Sequence, residues 1–538
     1  MIHILTLSLL WFLRQIKATL FWLYLWQLKE YHIGRFVDHF RTHRGKQLFA
    51  NKLLISKVTL IVFGIFLFGT VTQYGLTRHR AVYSLFVLGV GALYFLEVSK
   101  FARDIFLKKL KKPVFTKKAT LLFSVASFLT GFYFISFFSQ KDSFILFLLI
   151  FDIITPLFIS GIVVALQPLT VLLRNQIIEK AKRKRAQFKN LKVIGITGSY
   201  GKTSTKEFLA HILSQKFKVL KTKAHQNSEV GISQCILNDL NSQYEIFIVE
   251  MGAYNRGGIK LLCDIASPKI GILTGINQQH QALFGSLDNI IKTKYELIES
   301  LPEAGLAIFN GGNEYCQKLY QKADLRKKIS NQDIEAKNIR VEKEYITFDI
   351  FSSDGDSAFF KVNLLGNQNI ENILMAACCA KELGMTLIEI ARACEGIQQE
   401  KGSGKLIRTK QGLNVIDATY SANPHGVLAH LEYLKVWPGR KAIILPSLIE
   451  LGAASSKIHC QIGKKIGQVC NLAIISTKDK FRELYQGAVD SGMKKENILF
   501  LEKPDSIFDK IKDFSQKEDA ILLEGRGSSG LLEKLYGG

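Results

Sequence analysis

The first place in this chain where residue types indicate chemistry is a glycine-rich turn between an apolar stretch and a helical pattern. It lies within residues 192–207, which read KVIGITGSYGKTSTKE. Gly198 and Gly201 let backbone N–H groups turn inward around an anion. Lys202 can then reach the outer phosphates of a nucleotide, and the Thr203 hydroxyl is placed for Mg²⁺. The Gly-x-x-Gly-Lys-Thr spacing is shorter than that of the common P-loop, and such a turn alone is often mere punctuation. The β-prone residues before it and the helical spacing after it favour nucleotide binding.

Apolar strands and helical patterns alternate beyond this turn, which predicts a parallel α/β sheet. The predicted strands cover residues 245–249, 269–273 and 305–309. Such sheets bind ligands at the carboxyl ends of their strands. Three chemically capable residues follow those ends or open the next helix, namely Glu250, His280 and Lys294. Taken singly, they are equally compatible with an exposed strand end, a loop histidine and a surface lysine.

In their order and spacing, the motifs of residues 190–538 resemble those of the Mur ligases. Within that family the chain is most similar to the branch that adds D-alanyl-D-alanine to a muramyl tripeptide. The motifs are GITGSYGKTSTKE at 195–207, VEMGA at 249–253, INQQH at 276–280 with FGSL at 284–287, KYEL at 294–297, GNQNIEN at 366–372, DATYSANP at 417–424, and ELG at 450–452 with His459. Several ordered motifs are far more specific than any one alone.

The resemblance implies a ligase in which a substrate carboxylate attacks the γ-phosphate of ATP and an amine then takes the acyl phosphate. It implies nucleotide contacts from Gly198, Ser199, Gly201, Lys202, Thr203, Ser204, Asn369 and Asn372. It implies Mg²⁺ ligands at Thr203, Glu250, His280 and Lys294, and catalytic roles for Lys202, Lys294, His280 and Asp417. The substrates would contact Asn227, Ser228, Tyr420 and Asn423. Lys294 would be carbamoylated by CO₂, which turns a cation into an anionic metal ligand.

The last third of the chain repeats the α/β pattern, with predicted strands at 413–416, 441–445, 472–475 and 520–523. In the family this is a mobile Rossmann-like domain that closes over ATP and receives the amine. Departures from the family pattern cluster here: Ala418 replaces a second aspartate, Glu524-Gly-Arg-Gly527 replaces a Lys-Gly-Ser-Arg pattern, Gln368 replaces a histidine, and Lys405 replaces an arginine. These changes bear on the identity of the amine and on the rate.

The first third of the chain differs from the rest because it consists mainly of long apolar stretches. Residues 58–75, 81–98, 119–138 and 143–167 are apolar and about long enough to cross a bilayer, for which about 20 residues are needed. Residues 2–27 are also apolar but carry Arg14 and Lys17, so a fifth span, an interfacial helix and a half-buried hairpin stay open. Asp152 and Pro156 fall inside the last span, where an acidic residue is a candidate for substrate contact or for an interhelical hydrogen bond.

The charge distribution sets the predicted orientation. Residues 1–190 hold 27 Lys and Arg against 7 Asp and Glu, a net charge of +20 out of +25 for the whole chain. The basic residues concentrate in loops 29–52 and 100–118 and in the run at 180–185. The positive-inside rule therefore places both loops and everything after 168 in the cytoplasm. The run at 180–185 is either a contact with anionic lipid headgroups or a solvated linker.

These observations predict an α-helical membrane region followed by α/β domains. The predicted parts are a membrane region of four or five spans (1–175), a basic juxtamembrane linker (176–190), a P-loop-type central ATPase domain (191–400) and a Rossmann-like C-terminal domain (401–538). The predicted location is the bacterial inner (cytoplasmic) membrane, with the catalytic domains in the cytoplasm. Nucleic acid is not an expected partner, because the basic residues lie in short loops between apolar runs. The eight scattered cysteines indicate thiols in a reducing compartment.

The predicted function is ATP-dependent amide formation in peptidoglycan precursor synthesis, by addition of D-Ala-D-Ala to a muramyl tripeptide. The partners would be the lipid bilayer, a muramyl-peptide or lipid-linked acyl substrate, and an amino acid or dipeptide amine. Two alternatives stay open: a membrane-bound Mur-type ligase for another substrate, such as poly-γ-glutamate or a lipid-linked precursor, and a degenerate ATP-binding scaffold.

Overall fold

The computed structural model describes residues 2–49, 51–74, 76–138, 140, 143–224, 226–399, 404–409, 412–420, 422–526, 531–532 and 534–535. The chain divides into two compact units, Met1–Arg174 and Asn175–Gly538. The sequence-based limits at 190 and 400 stay predictions, and the second of these lies at residues outside the described ranges.

The N-terminal unit is helical throughout its described elements. Its helices are α1 (Ile2–Leu28), α2 (Ile33–His39), α3 (His43–Gln47), α4 (Lys52–Tyr74), α5 (Leu76–Phe106), α6 (Lys117–Phe138) and α7 (Phe144–Ala165), and α8 (Gln167–Ala186) runs on into the second unit. Among the described residues, four stretches are long and apolar enough to cross a membrane: Gly45–Gly69, Ala81–Phe106, Lys117–Phe138 and Phe144–Ala165. The four predicted spans are thus confirmed as apolar helices, although Gly75, the last residue of the first one, lies outside the described residues.

Helix α1 is one continuous helix, so the alternative of a half-buried hairpin for residues 2–27 is wrong. Its Trp11 and Leu23 side chains are fully buried against neighbouring helices. Both of its charged residues are paired: Arg14 Nη1 lies 2.8 Å from Asp152 Oδ1, and Lys17 Nζ lies 2.8 Å from Asp104 Oδ2. Ion pairing therefore explains how an apolar helix tolerates two cations.

A cluster of four charges, two buried and two partly buried, joins α1, α4, α5 and α7. Arg14 Nε lies 3.3 Å from Glu97 Oε2, and Lys57 Nζ lies 2.8 Å from Glu97 Oε2 and 3.0 Å from Asp152 Oδ2. Trp11 Nε1 also donates to Asp152 Oδ1 at 3.0 Å. Two cations and two carboxylates balance, which offsets much of the cost of removing them from water. Asp152 thus has interhelical partners, as one of its two sequence interpretations required.

The first sheet of the second unit is parallel and six-stranded, in the order β2-β3-β1-β4-β5-β6. Its strands are β1 (Lys192–Thr197), β2 (Val219–Lys221), β3 (Ile246–Glu250), β4 (Ile270–Leu273), β5 (Leu306–Phe309) and β6 (Lys327–Ile329). Its helices are α9 (Lys202–Leu213), α10 (Glu229–Asn238), α11 (Gly258–Ala266), α12 (Gln281–Phe284), α13 (Leu287–Glu299) and α14 (Glu314–Lys322). The three strands predicted after the glycine-rich turn are confirmed.

Both faces of this sheet are buried, which is why its strands are apolar at nearly every position. In β3, Ile246 and Ile248 pack into one hydrophobic cluster, and Phe247 and Val249 pack into the other. An antiparallel sheet of β7 (Ile334–Val341), β8 (Ile346–Ser352) and β9 (Ser357–Val362) follows, and then α15 (Gln368–Glu382) and α16 (Leu387–Cys394). Because β1 pairs with β3 on one side and with β4 on the other, the loops after these three strands converge at one edge.

A second six-stranded sheet has the order β10-β11-β15-β12-β13-β14. Its strands are β10 (Lys405–Arg408), β11 (Asn414–Ala418), β12 (Lys441–Leu445), β13 (Leu472–Ile475), β14 (Ile498–Phe500) and β15 (Ala520–Glu524), and β10 alone is antiparallel to its neighbour. Its helices are α17 (Pro424–Tyr433), α18 (Ser455–Val469), α19 (Phe481–Asp490) and α20 (Pro504–Phe514). All four strands predicted for this part are confirmed.

Candidate functional site

The loop from Gly198 to Gly201 connects β1 to α9, and its glycines are required by close neighbours. Gly198 has φ +154°, and a Cβ on it would lie 2.2 Å from Thr274 Oγ1. Gly201 has φ +77°, and a Cβ on it would lie 2.6 Å from Asn372 Oδ1. Only glycine fits this backbone, so the loop is held close against the strand ends with its main chain at the start of α9.

The first turn of α9 carries two of the predicted phosphate and metal ligands. Lys202 Nζ donates to the Gly198 carbonyl at 2.8 Å, so its ammonium group lies over the loop. Burial lowers the pKa of Lys202, while Glu250 opposes that shift. Thr203 Oγ1 donates to Glu250 Oε2 at 3.1 Å. The structure therefore brings the predicted ligands at the end of β3 and the start of α9 together.

Glu250 is held from several directions. Asn227 Nδ2 donates to its Oε1 at 3.0 Å, and Lys206 Nζ lies 3.3 Å from its Oε2. Burial alone would raise the pKa of Glu250, but Lys206, Lys202 and the two hydrogen bonds from Asn227 and Thr203 outweigh it, and the pKa is lowered. The carboxylate is therefore ionised at neutral pH, as a metal ligand must be.

Lys206 was not predicted as a site residue, although it lies one helical turn after Lys202 in the same motif. Its side chain is fully buried, 3.0 Å from Glu207 and 3.3 Å from Glu250. Burial opposes its charge, but the two carboxylates raise its pKa. The i,i+4 spacing that places both lysines on one face of α9 is the signal that could have found it.

Lys294 lies on α13 with only 4% of its surface exposed. Its Nζ donates to the Ala253 carbonyl at 3.4 Å and lies 5.7 Å from the centre of the Phe284 ring. Burial, and secondly the charge of Lys202, lower the pKa of Lys294 to about 7, against the opposing effect of Glu296. A large fraction of this amine is therefore neutral at physiological pH, the form that reacts with CO₂.

His280 precedes α12 and is partnered by the second sheet's domain. Its Nδ1 lies 2.5 Å from Glu450 Oε2, and the Tyr254 ring packs edge-on against it with centroids 5.2 Å apart. Burial lowers the pKa of His280, although the hydrogen bond to Glu450 opposes that shift. The imidazole is therefore neutral at pH 7 and keeps a nitrogen lone pair.

The donor set suits Mg²⁺, which commonly takes one or two carboxylates and completes its octahedron with phosphate oxygens and water. Glu250 and Thr203, which are hydrogen-bonded to each other, would supply oxygen ligands from neighbouring chain segments. Within the described ranges, no three His, Cys, Asp or Glu side chains are gathered as a metal-binding group. A site on Thr203 and Glu250 thus depends on nucleotide phosphates for its remaining ligands.

Three of the other predicted nucleotide residues make hydrogen bonds within the protein, and Asn372 lies against the loop. Asn372 Oδ1 accepts from Thr205 Oγ1 at 3.2 Å, and Asn369 Nδ2 donates to the Leu365 carbonyl at 3.1 Å. Ser199 Oγ donates to the Asn277 carbonyl at 3.3 Å, which ties the loop to the segment after β4. Ser204 lies partly exposed in the first turn of α9. Ser199 is thus part of the glycine-rich loop and Asn372 lies next to it. The nucleotide-binding roles of all four residues stay predictions.

Two of the predicted substrate residues cap helices. Ser228 Oγ accepts from the Gly231 N–H at 3.3 Å at the start of α10, and Asn423 Oδ1 accepts from the Gly426 N–H at 3.0 Å at the start of α17. These bonds are the structural use of such side chains. Asn227, by contrast, contacts Glu250 directly. His225 and Ser421, which lie within three residues of Ser228 and Asn423 in the sequence, are outside the described residues.

Asp417 and Glu524 end neighbouring strands of the second sheet. Asp417 Oδ1 accepts from the Thr419 hydroxyl at 2.6 Å, and the Glu524 carboxylate lies 2.6 Å from His430 Nδ1. Arg526 Nε donates to the Tyr420 carbonyl at 3.1 Å. The acidic residue that departs from the family pattern is thus paired inside this domain. The predicted roles of Asp417 and Tyr420 stay predictions.

Tyr200 is a further residue of the loop that sequence reasoning missed. Its ring stacks on His425 of α17, with centroids 4.1 Å apart and planes 14° apart. Thr274 Oγ1 also donates to the Tyr200 carbonyl at 2.5 Å. The stack joins the glycine-rich loop to the domain of the second sheet.

Comparison with known proteins identifies the family to which this chain belongs. The model of the Mur ligase middle domain matches residues 196–380. The UDP-N-acetylmuramoyl-tripeptide--D-alanyl-D-alanine ligase of Synechocystis sp. is 30% identical over 346 residues, which are 63% of this chain and 72% of the relative. The chain belongs to the Mur ligase family. The sequence-based assignment to that family is confirmed.

Two further relatives show how much of the chain matches known Mur ligases. The enzyme of the same name from Escherichia coli is 30% identical over 279 residues, which are 51% of this chain and 61% of the relative. The match therefore spans less than two thirds of that relative. The MurF ligase from Thermotoga maritima in complex with ADP superposes with a TM-score of 0.59 at 25% identity, covering 67% of this chain and 83% of the other. The α/β domains of this Mur ligase thus have the Mur ligase fold.

Proposed function

We propose that this Mur ligase is an ATP-dependent, amide-forming enzyme of peptidoglycan precursor synthesis that adds D-Ala-D-Ala to a muramyl tripeptide. The observation that carries the proposal is the group formed by Lys202, Thr203 and Glu250 at converging strand ends. The names of the curated relatives supply the substrates. The buried Lys294, with its pKa near 7, supports the same chemistry.

The reaction has two steps. The carboxylate of the acyl substrate attacks the γ-phosphate of ATP, and ADP leaves with the electrons of the broken P–O bond. The amine then attacks the acyl carbon, the amide forms, and phosphate leaves with the electrons of the acyl C–O bond. Catalysis of the first step rests on positioning and charge neutralisation. Lys202 and the backbone of residues 198–203 would hold the phosphates, and Thr203 with Glu250 would hold Mg²⁺, which neutralises developing charge.

Lys294 is proposed to carry a carbamate, and His280 to bind the second metal ion. A buried amine beside Lys202 is costly as a cation, so its pKa favours the neutral form. The lone pair of the neutral amine would attack the carbon of CO₂, a C=O electron pair would move to oxygen, and one N–H proton would be released to solvent. The product would be an anion close to the Lys202 ammonium, where opposite charge stabilises it. Asn369 and Asn372 would lie near the adenine.

The central domain is proposed to be of the P-loop type and the C-terminal domain to be Rossmann-like. The parallel strand orders and the glycine-rich turn after β1 support both descriptions. Contacts of Tyr200 with His425 and of His280 with Glu450 support a closed arrangement of the two. Closure would exclude water from the acyl phosphate.

The N-terminal unit is proposed to span the inner membrane. In each of its four apolar stretches, less than half of the residues are buried within the protein, from 17% in the least buried to 44% in the most buried. Large apolar side chains such as Phe66, Phe128 and Leu157 are 70–75% exposed. Such surfaces are unfavourable in water and are expected where lipid covers them. The basic loops then place the catalytic domains in the cytoplasm.

A lipid-linked acyl substrate is the second candidate. The apolar helices of the N-terminal unit precede the central domain in the sequence and are proposed to span the membrane that would hold such a substrate. Tethering enzyme and substrate in one membrane raises the effective concentration of the pair. Other polymers, poly-γ-glutamate among them, are alternatives that the same assay can address.

The test is phosphate release by the detergent-purified full-length protein with ATP and Mg²⁺. D-Ala-D-Ala is offered with either UDP-linked or lipid-linked muramyl tripeptide. We expect release to require the dipeptide and one acyl substrate, and Lys202→Ala to lower it by about 10²- to 10³-fold, the usual loss when one charge-stabilising donor is removed. If release occurs with the lipid-linked tripeptide and not with the UDP-linked one, both in the presence of the dipeptide, the membrane unit would be assigned the delivery of the acyl substrate. Absence of release with any pair, despite measurable ATP binding, would favour the scaffold alternative.

A further inference from the structure

The contact between His280 and Glu450 joins two domains through one side chain from each. Glu450 lies beyond β12, and its Oε2 is 2.5 Å from His280 Nδ1. The Glu450 carbonyl also accepts from the Ala282 N–H at 3.1 Å, so both its main chain and its side chain hold the same short loop. The carboxylate is well buried, with 5% of its side chain exposed against 27% for His280.

Both partners have unusual backbones. His280 has φ +66° and Glu450 has φ +64°, in the left-handed region that non-glycine residues rarely adopt. Such conformations are strained and persist where the surroundings enforce them. Gly452 follows with φ +55°, and a Cβ on it would lie 3.2 Å from the Ala282 nitrogen. The chain thus accepts strain on both sides of this contact in order to make it.

The hydrogen bond determines which imidazole nitrogen is available. A carboxylate is an acceptor only, so Nδ1 carries the proton that it donates to Glu450. Nε2 then holds the lone pair. Metal-binding histidines commonly donate their other N–H to a carboxylate, which sets the tautomer and the ring orientation. The Tyr254 ring packs edge-on against the same imidazole and restricts its rotation further.

We propose that Glu450 is a positioning residue that completes the His280 metal site from the C-terminal domain. Without the docked C-terminal domain, His280 lacks the partner that orients it. Metal binding at His280 is therefore coupled to domain closure, so the full set of charge-neutralising groups assembles only when the acyl phosphate is shielded from water. The inference rests on the proposed function, because the metal at His280 is part of it.

The test measures metal binding rather than turnover. Mn²⁺, which prefers the same oxygen ligands as Mg²⁺, is titrated by electron paramagnetic resonance into the full-length protein with a non-hydrolysable ATP analogue and bicarbonate. Glu450→Ala should weaken the weaker Mn²⁺ site by about 10- to 100-fold, the usual effect of losing such a partner. Affinity for the nucleotide analogue should stay within twofold, because the phosphate loop is untouched. Glu450→Gln, which keeps an acceptor but loses the charge, should fall between Glu450→Ala and the unmodified protein.

Glu432→Gln is the matched control, since this carboxylate of the same domain lies on the surface with Lys435 at 2.8 Å. It should bind Mn²⁺ like the unmodified protein. Superimposable titrations for Glu450→Ala, Glu450→Gln and the unmodified protein would overturn the proposal, as would the absence of any second Mn²⁺ site. Since neither acyl nor amine substrate is present, failure of the ligase assay would not produce these results. The two proposals can therefore fail separately.

Discussion

Lys294 shows how burial, helped by a nearby cation, prepares a side chain for chemistry. Its neighbour two residues away, Lys292, lies on the same helix with 56% of its side chain exposed and an ion pair to Asp288 at 2.7 Å. Lys294 is buried instead, with its pKa lowered to about 7. The difference follows from the face of α13 on which each residue lies, since residues two apart on a helix point in different directions.

Replacing Lys294 by alanine should therefore lower the rate of phosphate release by about 100-fold or more, because the metal would lose an anionic ligand. Short-chain carboxylates such as acetate should restore part of it by occupying the vacated space. Phosphate release with and without added acetate would measure the rescue. Lys292→Ala is the control and should keep full activity. Unchanged ATP consumption in the Lys294→Ala protein would rule out the carbamate role.

The pH dependence of carbamate formation follows from the same pKa. A lowered lysine pKa means that the amine is mostly protonated below pH 7 and mostly neutral above it. Protein depleted of CO₂ and then returned to a fixed concentration of dissolved CO₂ should regain activity about tenfold faster at pH 8 than at pH 6, in proportion to the neutral fraction. A difference of about a hundredfold, which a lysine of ordinary pKa would give, would contradict the lowered pKa. Equal recovery rates would contradict a pKa near 7, because the amine would then be neutral at both pH values.

Among the elements of the N-terminal unit, helices α1, α4, α5 and α7 are held together by the charge cluster around Asp152. Asp152 has no exposed side-chain surface, and Lys57 has 4%, so neither charge can turn to solvent. Removing one partner would leave the opposite charges uncompensated, which costs about 3–5 kcal/mol for a buried pair. The pair between Lys17 and Asp104 lies on two of the same helices, but its side chains are 29% and 30% exposed.

Asp152→Ala should therefore lower the thermal unfolding temperature of the detergent-solubilised protein markedly. Asp104→Ala should change it little, because an ion pair this exposed contributes about 0–1 kcal/mol. Differential scanning fluorimetry of the three proteins in one detergent makes the comparison. Equal shifts for the two variants would show that the cluster does not hold the helices together.

At the scale of the whole molecule, the asymmetry of charge predicts the orientation in the membrane. The basic loop at 100–118 should face the cytoplasm, and the short connection around Gln140 should face the opposite side. All eight cysteines occur from Cys235 onward, and all but Cys460 are buried. Burial also raises the thiol pKa of several of them, to about 12 for Cys235 and Cys263, so they should react slowly.

Single cysteines can therefore be placed in a Cys460→Ser background. Gln140→Cys should react with a membrane-impermeant maleimide added to cells whose outer membrane is permeabilised, and Lys109→Cys should react only after the inner membrane is opened. Both positions are exposed in the structure. Labelling in the reverse order would place the catalytic domains outside the cytoplasm and would overturn the proposed localisation.

The sequence by itself determined the features that depend on neighbours along the chain. The apolar runs of the N-terminal third predicted helices α4 to α7, because length and hydropathy are local properties. Apolar strands with intervening helical periods predicted both sheets, since burial on two faces demands a continuous apolar strand. The glycine-rich turn was also visible in the sequence, because its glycines, Lys202 and Thr203 lie within six residues. Its role in binding phosphates stays a prediction.

Only the tertiary structure decided which distant residues meet. Glu450 lies 170 positions from His280, and Asp152 lies 138 positions from Arg14. No local pattern encodes such pairs, because their energy depends on burial that arises only when separate elements pack. The burial of Lys294, unlike that of Lys292, likewise follows from how α13 packs against the sheet. The same packing made helix caps of Ser228 and Asn423, whose residue types alone suit a cap and a substrate contact equally.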